Sequence, residues 1–181
     1  MKLIILDRDG VINEDSDAFI KSAEEFIPIP GSLEAIVRLS QGGYRVVIAS
    51  NQSGIARGLF DHAALERIHQ KLHRLINGTG GQIEAIFYCP HGPEDGCTCR
   101  KPEPGLLQEI GERLKLPLTD VPVVGDSLRD LQAAQAVGAK PFLVRTGKGE
   151  QTLKAGVGLE GIEVFADLAA LSDHLLAAEQ G

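Results

Sequence analysis

The feature that most limits what this chain can fold into is the regular return of short apolar runs with helical stripes between them. Leu3 to Leu6, Val46 to Ala49, Ile83 to Tyr88, Val121 to Val124, Phe142 to Val144 and Ile162 to Phe165 are nearly continuous in apolar residues. Between them apolar positions recur at helical spacing, most plainly Leu65, Ile68, Leu72, Leu75 and Ile76, which predicts helices over 65–76, 32–41, 105–114, 128–137 and 166–178. Strands that are apolar on both faces and alternate with helices predict an α/β fold, a doubly wound, Rossmann-like parallel sheet. With 181 residues, 43% of them hydrophobic, residues 1–181 are expected to form one domain around a sizeable core. The stretch from Gly10 to Gly31 is too short for an inserted cap domain but long enough for a flap.

In such sheets ligands bind beyond the carboxyl ends of the strands, and that is where the polar residues fall. Asp7 and Asp9 follow the first run; two apart on an extended chain, they project to the same side. Hydrolysis of a phosphate monoester is among the slowest uncatalysed reactions, calling for accelerations up to ~10²¹-fold, so nucleophile, proton donor and charge neutralisation must act together. One carboxylate can attack phosphorus while a second protonates the leaving alcohol and later deprotonates water. Asp7 is the expected nucleophile and Asp9 the expected proton shuttle. Two anions facing a phosphate need a cation, and Mg²⁺ is held by one or two carboxylates with substrate oxygens and water. Asp126, in "VVGDSLRDLQAA", is the expected third carboxylate, whereas Ser127 and Asp130 read as a helix N-cap and its capping-box partner. Ser50, in "ASNQSG", offers a hydroxyl to a phosphoryl oxygen, although Ser and Asn after a strand also serve as turn residues. Arg100 and Lys101, in "CRKPEPG", read either as a solvated basic pair or as a guanidinium for a sugar or second phosphate beside a lysine balancing the phosphoryl charge.

All three cysteines of the chain lie in "CPHGPEDGCTC", with one of its five histidines. An odd count argues against a disulfide framework, and three thiolates plus an imidazole match a closed, tetrahedral structural Zn²⁺ site formed by Cys89, His91, Cys97 and Cys99. Such a loop, over 89–99, would aim Arg100 and Lys101. His69 and His73 are four apart but lack the His-Glu-x-x-His pattern and read as a solvated helix face; "RTGKGEQT" lacks the first glycine of a P-loop. The formal net charge of -7 and 4% aromatic content argue against a nucleic-acid partner or an anionic membrane surface. Met1 leads straight into the first strand, with no leader and no apolar run near the roughly 18 residues that span a bilayer, so a cytoplasmic monomer is expected.

Taken in order, "LDRDG", the Ser50 turn, Lys101 and "VGDSLRD" resemble the four motifs of the haloacid dehalogenase superfamily, over nearly the whole chain to about residue 147. Within it, "DRDG", "NQSGIARG" and "CPHGPEDGCTCRKP" look like the D-glycero-D-manno-heptose 1,7-bisphosphate 7-phosphatases, enzymes that make the ADP- or GDP-heptose precursor of the lipopolysaccharide core. The resemblance implies a small phosphorylated sugar as substrate, and an aspartyl-phosphate on Asp7 with Asp9 as acid/base. It implies Mg²⁺ on Asp7, Asp9 and Asp126, and Zn²⁺ on the Cys/His loop. Ser50 and Lys101 would stabilise the phosphoryl group. Arg100, the loop Asp15, Ser16, Asp17, Ala18 and the turn Ser50, Asn51, Gln52, Ser53 would hold the substrate. Two features depart from that family: Ser50 stands where threonine is usual, and the zinc loop is short. Histidinol-phosphate phosphatase carries similar motifs, and a polynucleotide 3′-phosphatase shares the chemistry. A phospho-accepting signalling domain and a zinc-stapled binding module are the readings of another class.

Overall fold

The computed structural model describes residues 2–179; the ends of the expected 1–181 unit lie outside the described residues. Strands and helices alternate as β1 (Lys2–Leu6), α1 (Ser32–Gln41), β2 (Tyr44–Asn51), α2 (His62–Asn77), β3 (Ala85–Cys89) and α3 (Gly105–Leu114). They continue as β4 (Pro122–Gly125), α4 (Leu128–Ala136), β5 (Lys140–Val144), α5 (Gly149–Ala155), β6 (Glu163–Phe165) and α6 (Leu168–Ala177). The six strands are parallel in the order β3-β2-β1-β4-β5-β6, so the chain reverses its winding direction between β1 and β4, where a crevice opens.

Successive side chains of a strand point to opposite faces, which is why these strands are apolar throughout. Ile4, Leu6, Val46 and Ile48 enter one core layer with Ile36, Leu65, Ile68 and Leu171. Leu3, Ile5, Val47 and Ala49 enter the other, with Leu107, Ile110 and Ala134. Helix starts follow local chemistry: the Asp61 and Asp167 carboxylates accept the N–H of Ala64 and Ala170, each at 2.8 Å.

Three details depart from the sequence reading. The expected third strand begins two residues later, although Ile83 is still buried in the core. Helix α5 occupies the glycine-bearing "GKGEQT" run, where no stripe of apolar residues announced it. His69 does not lie on a solvated face of α2: it borders the stripe of Leu65, Ile68 and Leu72 and is only 5% exposed, because a buried arginine from the β1 loop meets it there. Residues 10–31, the stretch read as a flap, hold no helix or strand beyond the isolated bridges Asp9↔Asn13 and Asn13↔Pro28. Among the described residues no helix is long and apolar enough to cross a membrane.

Candidate active site

The site is built at the point where β1 and β4 part. The N–H of Asp7 donates to the carbonyl of Val124 at 2.9 Å, which continues the β1–β4 ladder by one bond and sets Asp7 beside the end of β4. The carboxylates of Asp7, Asp126 and Asp130 gather so that one oxygen from each lies within 4.8 Å of the others. Gly10 and Gly147 make room for this: a Cβ on either would stand 2.0 or 2.3 Å from Asp126 Oδ2, and both have positive φ. Asp126 Oδ2 accepts the N–H of Lys148 at 2.8 Å.

Lys101, 3% exposed, uses all three ammonium donors, on Asp7 Oδ1 at 2.9 Å, Ala49 O at 2.8 Å and Asp130 Oδ1 at 2.7 Å. Burial would lower its pKa, but Asp130 and Asp7 reverse that and hold it well above the ordinary lysine value. Asp130 is the capping-box residue expected from the sequence, accepting the Ser127 N–H at 3.2 Å and hydroxyl at 2.9 Å, yet its other oxygen reaches into the site. Burial pushes Asp130 up, while Lys101 more than offsets this and keeps it below the usual carboxylate value. Asp7 and Asp126 go the other way: burial, then neighbouring carboxylates, push Asp7 to about 7 and Asp126 to about 8. One lysine does not neutralise three buried anions.

Asp9 stands outside this group. Its Oδ1 accepts from Arg8 Nε at 3.0 Å, Arg8 Nη2 at 2.8 Å and Asn13 Nδ2 at 2.9 Å, and its Oδ2 from Gln52 Nε2 at 3.3 Å. Burial raises the Asp9 pKa, but the Arg8 guanidinium and these hydrogen bonds bring it below the ordinary value. Gln52 also donates to Ser50 Oγ at 2.7 Å, so the buried Ser50 hydroxyl lies beneath Gln52. Asn51 exchanges two 3.1 Å hydrogen bonds with the main chain of Lys101, and so seats the lysine.

Above these groups opens a cavity of about 240 Å³. It is lined by Asp7, Asp9, Asp126 and Lys101, by Asp15, Ser16 and Asp17 of the flap, and by Gln52 and Ser53. Ala18 is exposed, its N–H turned onto Ser16 Oγ at 3.1 Å, and does not line the cavity. Three guanidinium groups, Arg57, Arg100 and Arg129, also line it. Among the described residues none of the three has a carboxylate within 4.0 Å. Burial and then Arg129 and Arg57 depress the Arg100 pKa. Sequence reasoning singled out Arg100 but missed Arg57, Arg129 and Arg8. Arg57 lies within "NQSGIARG" and Arg8 separates the two aspartates, but an isolated arginine carries no local signal of its surroundings.

Next to this rim the sulfurs of Cys89, Cys97 and Cys99 lie within 4.8 Å of one another, Cys89 and Cys97 at 3.7 Å. Zn–S bonds of ~2.3 Å at tetrahedral angles place sulfurs roughly 3.8 Å apart, so the spacing fits a metal rather than a disulfide. His91 is exposed and its ring is not in this group, while its carbonyl accepts Arg100 Nη1 at 3.5 Å.

A lysine from the loop after β3 that bridges the carboxylates after β1 and β4, in a sheet of this order, defines a hydrolase of the haloacid dehalogenase type. Family models agree: HAD-hydrolase-like matches residues 98–171, and polynucleotide kinase 3 phosphatase matches residues 2–131. The D-glycero-beta-D-manno-heptose-1,7-bisphosphate 7-phosphatase of Bordetella bronchiseptica is 59% identical over 97% of this chain and 98% of its own. That of Pseudomonas putida is 56% identical over 97% of this chain and 100% of its own. A crystal structure of the Bordetella bronchiseptica D,D-heptose 1,7-bisphosphate phosphatase, complexed with magnesium and phosphate, superposes with a TM-score of 0.96 at 58% identity, over 98% of this chain and 99% of that one. The chain belongs to the D-glycero-D-manno-heptose 1,7-bisphosphate 7-phosphatase family of the haloacid dehalogenase superfamily.

Proposed function

We propose that this protein is a Mg²⁺-dependent phosphatase that removes the 7-phosphate of D-glycero-D-manno-heptose 1,7-bisphosphate, on the route to the nucleotide-activated heptose of the lipopolysaccharide core. The observation that carries this reading is the two-pole cavity. Its lining joins a carboxylate nucleophile to a lysine and also carries three guanidinium groups, Arg57, Arg100 and Arg129, with no carboxylate within 4.0 Å among the described residues. Guanidinium forks match phosphate oxygens, so a substrate with a phosphate at each end satisfies both poles. Histidinol phosphate, with one phosphate and an ammonium group, would leave the rim unpaired.

Asp7 attacks phosphorus and forms an aspartyl-phosphate as the bond to the sugar oxygen breaks, and Asp9 gives that oxygen its proton. Asp9 then takes a proton from the water that hydrolyses the intermediate, releasing phosphate and restoring Asp7. Lys101, and the Ser50 hydroxyl once Gln52 yields it, balance charge on the phosphoryl oxygens. Asp15, Ser16, Asp17, Asn51, Gln52, Ser53 and Arg100 frame the sugar, with Ala18 as the turn that shapes the flap.

The donor set fits a hard divalent cation: clustered carboxylate oxygens with less positive charge beside them than negative. Asp7 and Asp126 would hold Mg²⁺ with their carboxylates, and Asp9 would complete the set expected from the sequence. When bound, Mg²⁺ supplies charge neutralisation for the phosphoryl group. The three sulfurs fit Zn²⁺, with His91 as the fourth ligand after its ring turns inward. That ion would fasten residues 89–99 and keep Arg100 and Lys101 aimed. Thiols that serve as ligands must stay reduced, which supports a cytoplasmic location. All the groups come from one chain, so the reading needs only a monomer.

The test is kcat/KM for phosphate release, with Mg²⁺, on both anomers of the heptose bisphosphate and on histidinol phosphate. Strong preference for the bisphosphate is expected. Preference for histidinol phosphate would overturn the substrate while keeping the chemistry. A stable aspartyl-phosphate without phosphate release would make the protein a signalling domain.

A further inference from the structure

The most completely buried ionic group in the molecule is not one of the reacting residues. Arg8 lies between Asp7 and Asp9 in sequence and its side chain is fully buried, at 0% exposure. A buried guanidinium with unused donors is costly, and here its partners come from three separate segments. Nε and Nη2 both donate to one oxygen of Asp9. Nη1 donates to His69 Nε2 of α2 at 3.1 Å. Its Cζ lies 6.0 Å from the ring centroid of Phe26 in the flap, which Lys71 Nζ also approaches, at 5.9 Å.

The direction of the His69 contact is decided by chemistry. Arginine has no acceptor and does not deprotonate in proteins, so His69 Nε2 must accept and the ring must be neutral, with its proton on Nδ1. Asn13 adds a second constraint. It donates Nδ2 to the same Asp9 oxygen and, at 3.0 Å, to the Glu14 carbonyl, while its own Oδ1, buried, finds no partner among the described residues. An amide that leaves its acceptor empty is oriented by what its N–H groups reach, here the Asp9 carboxylate and the Glu14 carbonyl. Three donors therefore converge on Oδ1, and a single longer contact from Gln52 reaches Oδ2.

We propose that Arg8, seated by His69, is the positioning residue for Asp9. It saturates Oδ1 with Asn13 and leaves Oδ2 as the oxygen that exchanges protons with substrate and water. The inference rests on the phosphatase reading above. In the first half-reaction Oδ2, protonated by the water of the preceding turnover, passes that proton to the sugar oxygen as the P–O bond breaks and the bond to Asp7 forms. In the second, Oδ2 takes a proton from water as the new P–O bond forms and Asp7 is released. Neither Arg8 nor His69 touches substrate; both act by fixing the carboxylate's rotation.

The experiment compares two leaving groups. A sugar alkoxide needs a proton to depart, and p-nitrophenolate does not. The ratio of kcat/KM for the heptose bisphosphate and p-nitrophenyl phosphate reports the first half-reaction, up to departure of the alcohol. His69→Leu and Arg8→Lys should each lower it about tenfold or more on the sugar phosphate relative to p-nitrophenyl phosphate, up to the roughly 10²–10⁴-fold that loss of the acid/base group itself would cost. His69→Gln, whose carbonyl oxygen can accept from Arg8, should restore most of the ratio. Thermal unfolding of each variant shows which are folded, and two substitutions at separate positions keep the test open if one is not. Equal losses on both substrates, or a Gln variant no better than Leu, would overturn the inference and leave the phosphatase reading intact. If the unaltered protein releases phosphate from neither compound, both fall together.

Discussion

At the scale of single residues the chemistry turns on how few cations stand among the carboxylates. Asp7→Asn removes the nucleophile and should abolish steady-state phosphate release; near-normal turnover in that variant would sink the covalent route. Asp9→Asn should cost roughly 10²–10⁴-fold in kcat/KM on the sugar phosphate, as expected for loss of a general acid. Lys101→Met tests the lysine's two roles at once. It leaves Asp7 and Asp130 buried without their cation, so turnover should fall by about 10²–10³-fold and urea unfolding should show a loss of ~3–5 kcal/mol. A variant as stable as its parent would mean that the pairs hold nothing together. That Asp7 and Asp126 would meet was legible because a parallel sheet gathers the polar residues at the carboxyl ends of its strands. Asp130 was legible only as a helix cap, since nothing local announces that its second oxygen meets Lys101.

At the scale of elements, the segment from Cys89 to Lys101 is a short loop joining β3 to the substrate rim. Cys97→Ser should lower both bound zinc and kcat/KM, through misplaced Arg100 and Lys101 rather than through lost chemistry. Metal analysis by mass spectrometry, run beside kinetics with Mg²⁺ in excess, checks this; unmodified protein free of zinc would remove the idea. The clustering of thiols was plain from composition and spacing. The place of His91 was not, because its approach depends on how the loop closes. Strands and amphipathic helices were similarly legible from their periods, whereas α5 lacks an apolar stripe and is tied to the site by a polar contact from its middle turn: Thr152 Oγ1 donates to the Asp126 carbonyl at 2.8 Å.

Across the whole molecule the buried histidine ties stability to pH. The His69 pKa is lowered from 6.5 to about 3, by burial first and by Arg8 second. Because the folded value lies below the unfolded one, unfolding takes up a proton, and the stability this group supports is present above pH 6.5 and lost as pH falls toward 3. At pH 5 the loss is at most ~2 kcal/mol relative to pH 7.5. His69→Gln should flatten that part of the urea-midpoint profile between pH 7.5 and 5, and an unchanged slope would show that His69 is not the group responsible. The sequence by itself determined the alternation of strands and helices and the residue types that carry the chemistry, because both are written in local period and spacing. Only the tertiary structure decided which groups meet. Lys101 reaches Asp7 across 94 positions of chain and Arg8 reaches His69 across 61, and the burial that gives those pairs their strength comes from packed neighbours, which no local pattern records.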